Sequence, residues 1–414
     1  MNINYYPYWY NNLIFIKGND LMTISNKMKN FLEQGSWIRR MFEDGIELKK
    51  KYGAENVYDL SLGNPIFSPP DDLYDELKKL IDNPDKSAHR YMPNAGLDQT
   101  RSKVAEFLTK TTNHSFKLSN VLMTGGAGGA LNVTLKAILD PEDEVIMFTP
   151  FFPEYFFYTD NHAGVSKIVD SDDKFIPDLD SLNQKINNKT KAVIINSPNN
   201  PSGVVYSEQF LVKMSEILIN YEKKYNREIY VISDEPYRRI VFDGLDCPNI
   251  LDYYKNTIVA SSFSKDLAIP GERIGYVALS PKINNQNLLM DGIVFANRIL
   301  GFVNAPAFMQ RAVSNILFSS VDVEEYLLRR DYLCDELGKL GYEFKKPQGA
   351  FYLFPKSPIE DDVEFTNLLK EHKVLVVPGS GFGKKGYFRI SFCVDWPSIE
   401  GSIEGFKQTI ELIK

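Results

Sequence analysis

A lysine in the middle of the chain follows an apolar run and lies among polar residues. The run 257–260 is followed by SSFSKDLAIPGERIGY, residues 261–276, which contains Lys265 and Arg273. A lysine is almost never fully buried unless it is paired or chemically employed. Lys265 therefore either extends its amine to solvent or has a chemical role.

Polar side chains follow two further apolar runs of the same kind. The segment NSPNNPSG, with Asn200, follows the run 191–196, and DEPY, with Asp234 and Tyr237, follows the run 229–233. In open parallel sheets, ligands bind outside the carboxyl ends of the strands. The sequence thus predicts one edge that carries an amine, an acid and two hydrogen-bonding groups, which suits the reaction site of a cofactor.

The elements that would position these groups alternate between strand and helix. The run 144–148 is also continuous and apolar, as is typical of strands covered on both faces of a parallel sheet. Residues 207–224 show apolar side chains at helical spacing, and Ser207 is a natural N-cap. We predict an α/β fold with a mostly parallel, doubly wound sheet in a large domain.

The last part of the chain has a different pattern. A long helical stretch is followed by short strands around GAFYLFP, KVLVVPG and GYFRISFC and then by a terminal helix. We predict a smaller α+β domain formed by the N-terminal segment and the C-terminal third. The expected parts are a flexible extension at 1–21, an arm and part of the small domain at 22–70, the large domain at 71–320 and the small C-terminal domain at 321–414.

Composition narrows the class of protein further. The 414 residues carry a net charge of −7 without a long basic run, which argues against nucleic-acid binding. Cys247, Cys334 and Cys393 lack metal-type spacing, so we expect free thiols and no metal. The N-terminus has neither a membrane span nor a signal peptide, and Met22 is a plausible alternative start. A soluble, cytoplasmic protein is expected.

Four segments together resemble the class I and II aminotransferases, fold type I enzymes that use pyridoxal 5′-phosphate (PLP). They are NSPNNPSG, SDEPY, SSFSKDLAIPGERIGY and YFRISF, in the family's order and spacing. The resemblance implies that Lys265 forms a Schiff base with PLP and then moves the proton. It also implies that Asp234 pairs with the pyridine nitrogen, while Tyr237 and Asn200 hydrogen-bond the ring oxygen.

The resemblance assigns further residues to the phosphate and the ring of the cofactor. A glycine-rich turn leads into a helix at TGGAGGALNVTL, and the free N–H groups of a helix start bind anions. Phe152 would stack on the ring, and Tyr91 would reach the neighbouring subunit's phosphate, which implies a homodimer with shared active sites. The phosphate ligands implied are Gly126, Ala127, Gly128, Ser262, Ser264 and Arg273.

Substrate binding is assigned in the same way. Arg389 matches the arginine that clamps the substrate α-carboxylate, and Gly63 would let the backbone approach that carboxylate. Trp37 is a candidate for the pocket wall or a buried helix residue. Ile299 stands where relatives specific for aspartate carry a second arginine, with Arg298 beside it, so a contact between Arg298 and a distal carboxylate stays open.

The function predicted is transfer of an amino group from an α-amino acid to a 2-oxo acid with ping-pong kinetics. A PLP-dependent carbon–sulfur lyase or an amino-acid decarboxylase is the alternative, because all three reactions use the same electron sink. A PLP-sensing regulator without turnover is a remote alternative, because no basic recognition helix precedes the region of resemblance.

Overall fold

The computed structural model describes residues 24–33 and 37–413. The expected extension at 1–21 and the alternative start at Met22 lie outside these residues. Within them, a large sheet is covered by helices on both faces, and two smaller sheets lie beside the last helices. No helix of this part is both long and apolar enough to cross a membrane.

The helices of the described part are regular, with short 3-10 turns between them. In chain order they are α1 (Asn26–Glu33), α2 (Trp37–Tyr52), α3 (Asp71–Asp82), α4 (Asp98–Thr112), α5 (Gly126–Ile138), α6 (Glu154–Asn161), α7 (Leu179–Lys185), α8 (Glu208–Tyr225), α9 (Gln286–Ile299), α10 (Ala307–Val313), α11 (Val323–Leu340), α12 (Asp362–Glu371) and α13 (Trp396–Ile413).

The strands of the large sheet lie in the order β2-β8-β7-β6-β5-β3-β4. Only β8 runs antiparallel to its neighbours, β2 and β7, so the sheet is mostly parallel and the predicted α/β fold class is confirmed. The strands are β1 (Tyr58–Asp59), β2 (Val121–Thr124), β3 (Glu144–Phe148), β4 (Val165–Val169), β5 (Thr190–Asn196), β6 (Tyr230–Asp234), β7 (Thr257–Ser262), β8 (Gly275–Leu279), β9 (Tyr352–Leu353), β10 (Val374–Leu375), β11 (Val377–Pro378) and β12 (Phe388–Ser391).

Alternate residues of the central strands supply two separate hydrophobic clusters. In β5, Val193 and Ile195 pack in one cluster together with residues of α8. Ala192 and Ile194 pack in the other cluster together with residues of α5 and α9. Since side chains alternate between the faces of a strand, both faces of the sheet are covered, which explains the continuous apolar runs.

The pairing register places the carboxyl ends of β5, β6 and β7 side by side. Asn196, the last residue of β5, pairs with Asp234 at the end of β6, and Asp234 pairs with Ala260 of β7. Because the three strands are parallel, the loops that follow them leave the same edge of the sheet. These loops carry Asn200, Tyr237 and Lys265.

The N-terminal and C-terminal parts of the chain meet in a second body. Strand β1 pairs in parallel with β10, and β12 lies between β11 and β9 in a three-stranded antiparallel sheet. Leu60, just after β1, donates its amide to Leu375 O at 2.9 Å and accepts from Ser391 N at 2.8 Å. These contacts hold the segment that contains Ser61 and Gly63 against β12, which carries Arg389. The numerical domain boundaries given above remain a prediction.

Candidate active site

Lys265 lies beyond the end of β7 with its amine directed back into the protein. Its Nζ donates to Gly63 O at 2.6 Å and lies 5.5 Å from the centre of the Phe351 ring. Burial lowers the pKa of Lys265 to about 8, and the positive charges of Arg389 and Arg273 act in the same direction, while the Cys393 thiol opposes them. A lysine with such a pKa carries the neutral, nucleophilic amine in a larger fraction of molecules at neutral pH than an exposed lysine does.

Asp234 ends β6 and is buried. Its Oδ2 accepts a hydrogen bond from the Tyr155 hydroxyl, whereas its Oδ1 is buried and has no partner among the described residues. Burial raises the pKa of Asp234 to about 7; the Tyr155 bond lowers it in part, and the nearby Glu235 adds to the rise. A buried carboxylate oxygen without a partner is costly, so this atom fits a donor that arrives with a ligand.

Arg389 projects from β12 and is 2% exposed. Its Nη1 donates to Asn200 Oδ1 at 3.0 Å and its Nη2 to Ser61 O at 2.6 Å. The guanidinium lies over two aromatic rings, with its carbon 4.6 Å from the centre of Tyr352 and 4.7 Å from the centre of Phe382. Its Nε is buried without a partner in the described part of the chain, so the group retains donor capacity for an anion.

The glycine-rich turn and Arg273 meet at the start of α5. Nη2 of Arg273 donates to Gly125 O at 3.1 Å, and a Cβ added to Gly126 would lie 2.8 Å from this same nitrogen. Gly126 has φ +78°, a conformation that favours glycine. Ser262 and Ser264, at and after the end of β7, are buried. The start of a 13-residue helix, a guanidinium and two hydroxyl-bearing residues suit an anion such as a phosphate group.

Tyr237 and Phe152, two of the aromatic residues assigned to the cofactor, have separate surroundings. Tyr237 is buried, and its hydroxyl lies 2.9 Å from that of Tyr352. Burial raises the pKa of Tyr237 well above its ordinary value, so the phenol stays protonated. Phe152 is partly buried and packs edge-on against Tyr155, with ring centres 5.6 Å apart. Phe152 thus neighbours the tyrosine that holds Asp234.

Tyr91 and Arg298 do not join this group within the chain, and Trp37 lies at its margin. The side chain of Tyr91 is 93% exposed, which excludes a place in the core. Trp37, at the start of α2, is half-buried and packs against Gly381, one residue from the Phe382 that stacks on Arg389. Arg298 is exposed in the last turn of α9.

Three residues near the site were not identified from the sequence. They are Tyr155, Tyr352 and Glu154, the first residue of α6, whose Oε2 is buried without a described partner and whose pKa is raised by burial. Glu154 and Tyr155 lie two and three residues after Phe152 in PFFPEY, and Tyr352 lies in GAFYLFP, so their places in these segments were an available signal. Within the described residues no cluster of three potential metal ligands occurs.

Comparison with known proteins defines the class. The profile of class I and II aminotransferases matches residues 55–401, and the chain belongs to this family, whose members depend on PLP. The chain is 31% identical over 396 residues to a probable aspartate aminotransferase of Methanocaldococcus jannaschii, with 94% of this chain and 100% of the relative covered. It is 32% identical to an aspartate aminotransferase of Thermotoga maritima over 367 residues, covering 87% and 91% of the two chains.

Solved structures agree with this assignment. An aminotransferase from Eubacterium rectale superposes with a TM-score of 0.91 at 39% identity, covering 94% of this chain and 99% of the other. The aspartate aminotransferase of Thermus thermophilus with maleate gives a TM-score of 0.83 at 25% identity, covering 94% and 100%. The prediction of an aminotransferase from the sequence segments is therefore confirmed at the level of the family.

Proposed function

We propose that this aminotransferase binds PLP at the carboxyl edge of the large sheet and transfers the amino group of an α-amino acid to a 2-oxo acid. One observation carries the proposal: Lys265, with a pKa of about 8, shares this edge with Asp234, whose Oδ1 is buried without a described partner. An activated amine and a carboxylate that lacks a donor are the two groups that a pyridoxal ring requires.

The residues present fit the cofactor. Bound PLP supplies an electron sink for the pair released when the substrate Cα–H bond breaks. Asp234 would hold the ring nitrogen, Tyr237 and Asn200 the ring oxygen, and Phe152 one face of the ring. The phosphate would be held by the chain between Gly126 and Gly128, which includes Ala127, and by Ser262, Ser264 and Arg273.

The chain's own residues then bind the substrate and move the proton. Arg389 and Asn200, already bonded to each other, would orient the α-carboxylate, and the backbone at Gly63 would approach it. Lys265 would take up the proton that leaves Cα and would release it at the aldehyde-derived carbon of the cofactor. Its pKa of about 8 suits this exchange, because a group that titrates near the working pH both takes and gives a proton readily.

The carboxylate of Asp234 is expected to be essential for rate. Asp234→Asn removes the negative charge that favours a protonated ring nitrogen, so kcat should fall by about 10²–10³-fold, as when one preorganised electrostatic contact is lost. Steady-state kinetics at saturating PLP would measure the loss. The control is Glu235→Gln, since the neighbouring Glu235 bonds to Ser233 and pairs with Arg238 instead. If Asp234→Asn retains the wild-type kcat, the role assigned to Asp234 is wrong.

The lowered pKa of Lys265 predicts how cofactor attachment depends on pH. The neutral amine attacks the aldehyde, and with a pKa of about 8 roughly one-tenth of the molecules carry it at pH 7, against fewer than about one in a thousand for an ordinary lysine. The attachment rate, followed by absorbance after mixing cofactor-free protein with PLP, should rise up to about tenfold per pH unit below pH 8 and then level off. A midpoint near pH 10 would refute the environment described for Lys265.

We also propose a homodimer with shared active sites. Tyr91 is exposed enough to reach a second chain, and α9 presents Leu288, Phe295 and Ile299 to solvent at 74%, 57% and 53% exposure. An exposed apolar row of this kind commonly marks a protein interface. Arg298, in the same turn as Ile299, would then be available to the partner's substrate. Active protein that sediments as a monomer at assay concentration would contradict the shared sites.

The substrate is best approached with a panel of amino donors. Relatives named as aspartate aminotransferases make aspartate the first donor to test, with 2-oxoglutarate and pyruvate as acceptors. The proposal predicts that at least one donor gives turnover that depends on the acceptor. Acceptor-independent release of ammonia and pyruvate from a sulfur amino acid would indicate a lyase instead, and release of carbon dioxide a decarboxylase.

We further propose a cytoplasmic location, in keeping with three free cysteines.

A further inference from the structure

Tyr352 contacts residues on both the cofactor side and the substrate side of the proposed site. It begins β9, is 2% exposed, and its hydroxyl lies 2.9 Å from the Tyr237 hydroxyl. The face of its ring lies 4.6 Å from the Arg389 guanidinium. Its hydroxyl also fills the space beside Gly63, since a Cβ added there would lie only 1.8 Å from this oxygen. One buried phenol thus touches three residues that the sequence assigned to PLP or substrate.

The bond between the two phenols limits where the Tyr237 proton can point. Burial raises the pKa of Tyr352 to about 12 and that of Tyr237 well above its ordinary value, so both stay protonated in the working range. Each phenol donates one hydrogen bond. When Tyr237 donates to a ligand, its oxygen is free to accept from Tyr352, and this second bond holds Tyr237 in the donating orientation.

The ring of Tyr352 has a separate effect on Arg389. The guanidinium carbon lies 4.6 Å from the centre of the Tyr352 ring and 4.7 Å from the centre of the Phe382 ring. Cation–π contacts of this kind are strengthened by burial. Because Nη1 and Nη2 bond to Asn200 and Ser61, the rings and these acceptors together fix the plane of the group. A fixed plane favours two parallel bonds to a carboxylate.

We propose that Tyr352 is a positioning residue that orients Tyr237 through its hydroxyl and Arg389 through its ring. The inference rests on the proposed PLP site. It predicts that the two effects are separable, because Tyr352→Phe removes only the hydroxyl, whereas Tyr352→Leu removes the ring as well.

The first readout is the pH midpoint of the visible absorbance of the bound cofactor, measured without substrate. A donor to the ring oxygen stabilises the form with fewer protons, so its loss raises the midpoint. Tyr352→Phe should shift the midpoint upward by about 0.3–1 pH unit, the size expected when one neutral hydrogen bond is weakened. Its KM for the amino donor should stay within about twofold of wild type, because the ring remains.

The second readout is the KM for the amino donor. Tyr352→Leu should shift the midpoint as Tyr352→Phe does and should also raise KM by about 3- to 30-fold, the range of a desolvated cation–π contact. The matched control is Tyr326→Phe. Tyr326 is fully buried, its ring centre lies 5.3 Å from that of Phe351, and its hydroxyl has no hydrogen-bond partner in the described part. Neither readout should change in this variant.

The outcomes separate this inference from the proposed function. Wild-type protein that acquires no visible absorbance with PLP would overturn the proposed function itself. If the wild type binds PLP and melting shows Tyr352→Phe folded, an unshifted midpoint refutes the role of the hydroxyl. An unchanged KM in folded Tyr352→Leu refutes the role of the ring.

Discussion

Replacing Lys265 with alanine is expected to lower turnover by about 10⁴–10⁶-fold, the scale seen when an enzyme loses a nucleophile that also moves protons. Its amine is the only group at the site given both tasks. The visible absorbance that depends on covalent attachment of PLP should disappear together with turnover. Both are measured on the same preparation, by a spectrum after gel filtration and by a coupled assay with the best amino donor.

Lys255 offers a matched control for this substitution. It is exposed and precedes β7, whereas Lys265 follows the same strand at its other end. Lys255→Ala should keep both the absorbance and the turnover. Full activity of Lys265→Ala would remove the basis for every catalytic role proposed for this edge of the sheet.

Replacing Arg389 with lysine is expected to lower kcat/KM by about 10²–10³-fold. The substitution keeps the positive charge but loses the planar fork, and loss of one preorganised hydrogen-bond donor costs about 2.7–4 kcal/mol. Because Arg389 is assigned to the substrate rather than to PLP, the absorbance of the bound cofactor should survive. Initial rates over a range of donor concentrations give kcat/KM, and a spectrum of each preparation shows whether the cofactor is bound. Together they distinguish a loss of substrate binding from a loss of PLP.

A second buried arginine provides a control that distinguishes a loss of substrate binding from a loss of stability. Arg330, on α11, is fully buried and makes two bonds to Asp243, at 2.7 and 2.8 Å. Arg330→Lys should lower the melting temperature and leave KM near the wild-type value. An Arg389→Lys variant that has unchanged kcat/KM would show that another group binds the α-carboxylate.

The central strands could be predicted because strands that are buried on both faces consist of continuous apolar residues. Strands covered on both faces must be apolar throughout, and β3, β5, β6 and β7 are buried at nearly every position. Once four parallel strands were assigned, the residues that follow them had to share an edge. This rule places Asn200, Asp234, Tyr237 and Lys265 at one edge from the sequence alone.

The edge strand β4 and the end of β7 were harder to predict from the sequence, for physical reasons. Strand β4 lies at the sheet edge and is partly exposed, so its composition is mixed. Strand β7 continues through Ser261 and Ser262 because these serines pair with β8, a tertiary contact that local propensity does not contain. The apolar run therefore ends at Ala260, two residues before the end of the strand.

The connections within the site were the least predictable part. Tyr352 and Tyr237 are 115 residues apart in sequence, and Arg389 and Asn200 are 189 residues apart. Tyr352 lies on a strand of only two residues, where no periodicity can show which side chain faces the site. The resemblance of the segments assigned residues to PLP, but the residues that support them, such as Tyr352 and Tyr155, are apparent only from side-chain contacts.

A half-reaction tests the central proposal most directly. Protein loaded with PLP is mixed with one amino donor from the panel and no acceptor, and the 2-oxo acid formed is counted against active sites. Amino transfer predicts one equivalent per site, a loss of the visible absorbance, and recovery of that absorbance when a second 2-oxo acid is added. Continuous formation of oxo acid with free ammonia, or no oxo acid from any donor in the panel, would contradict it.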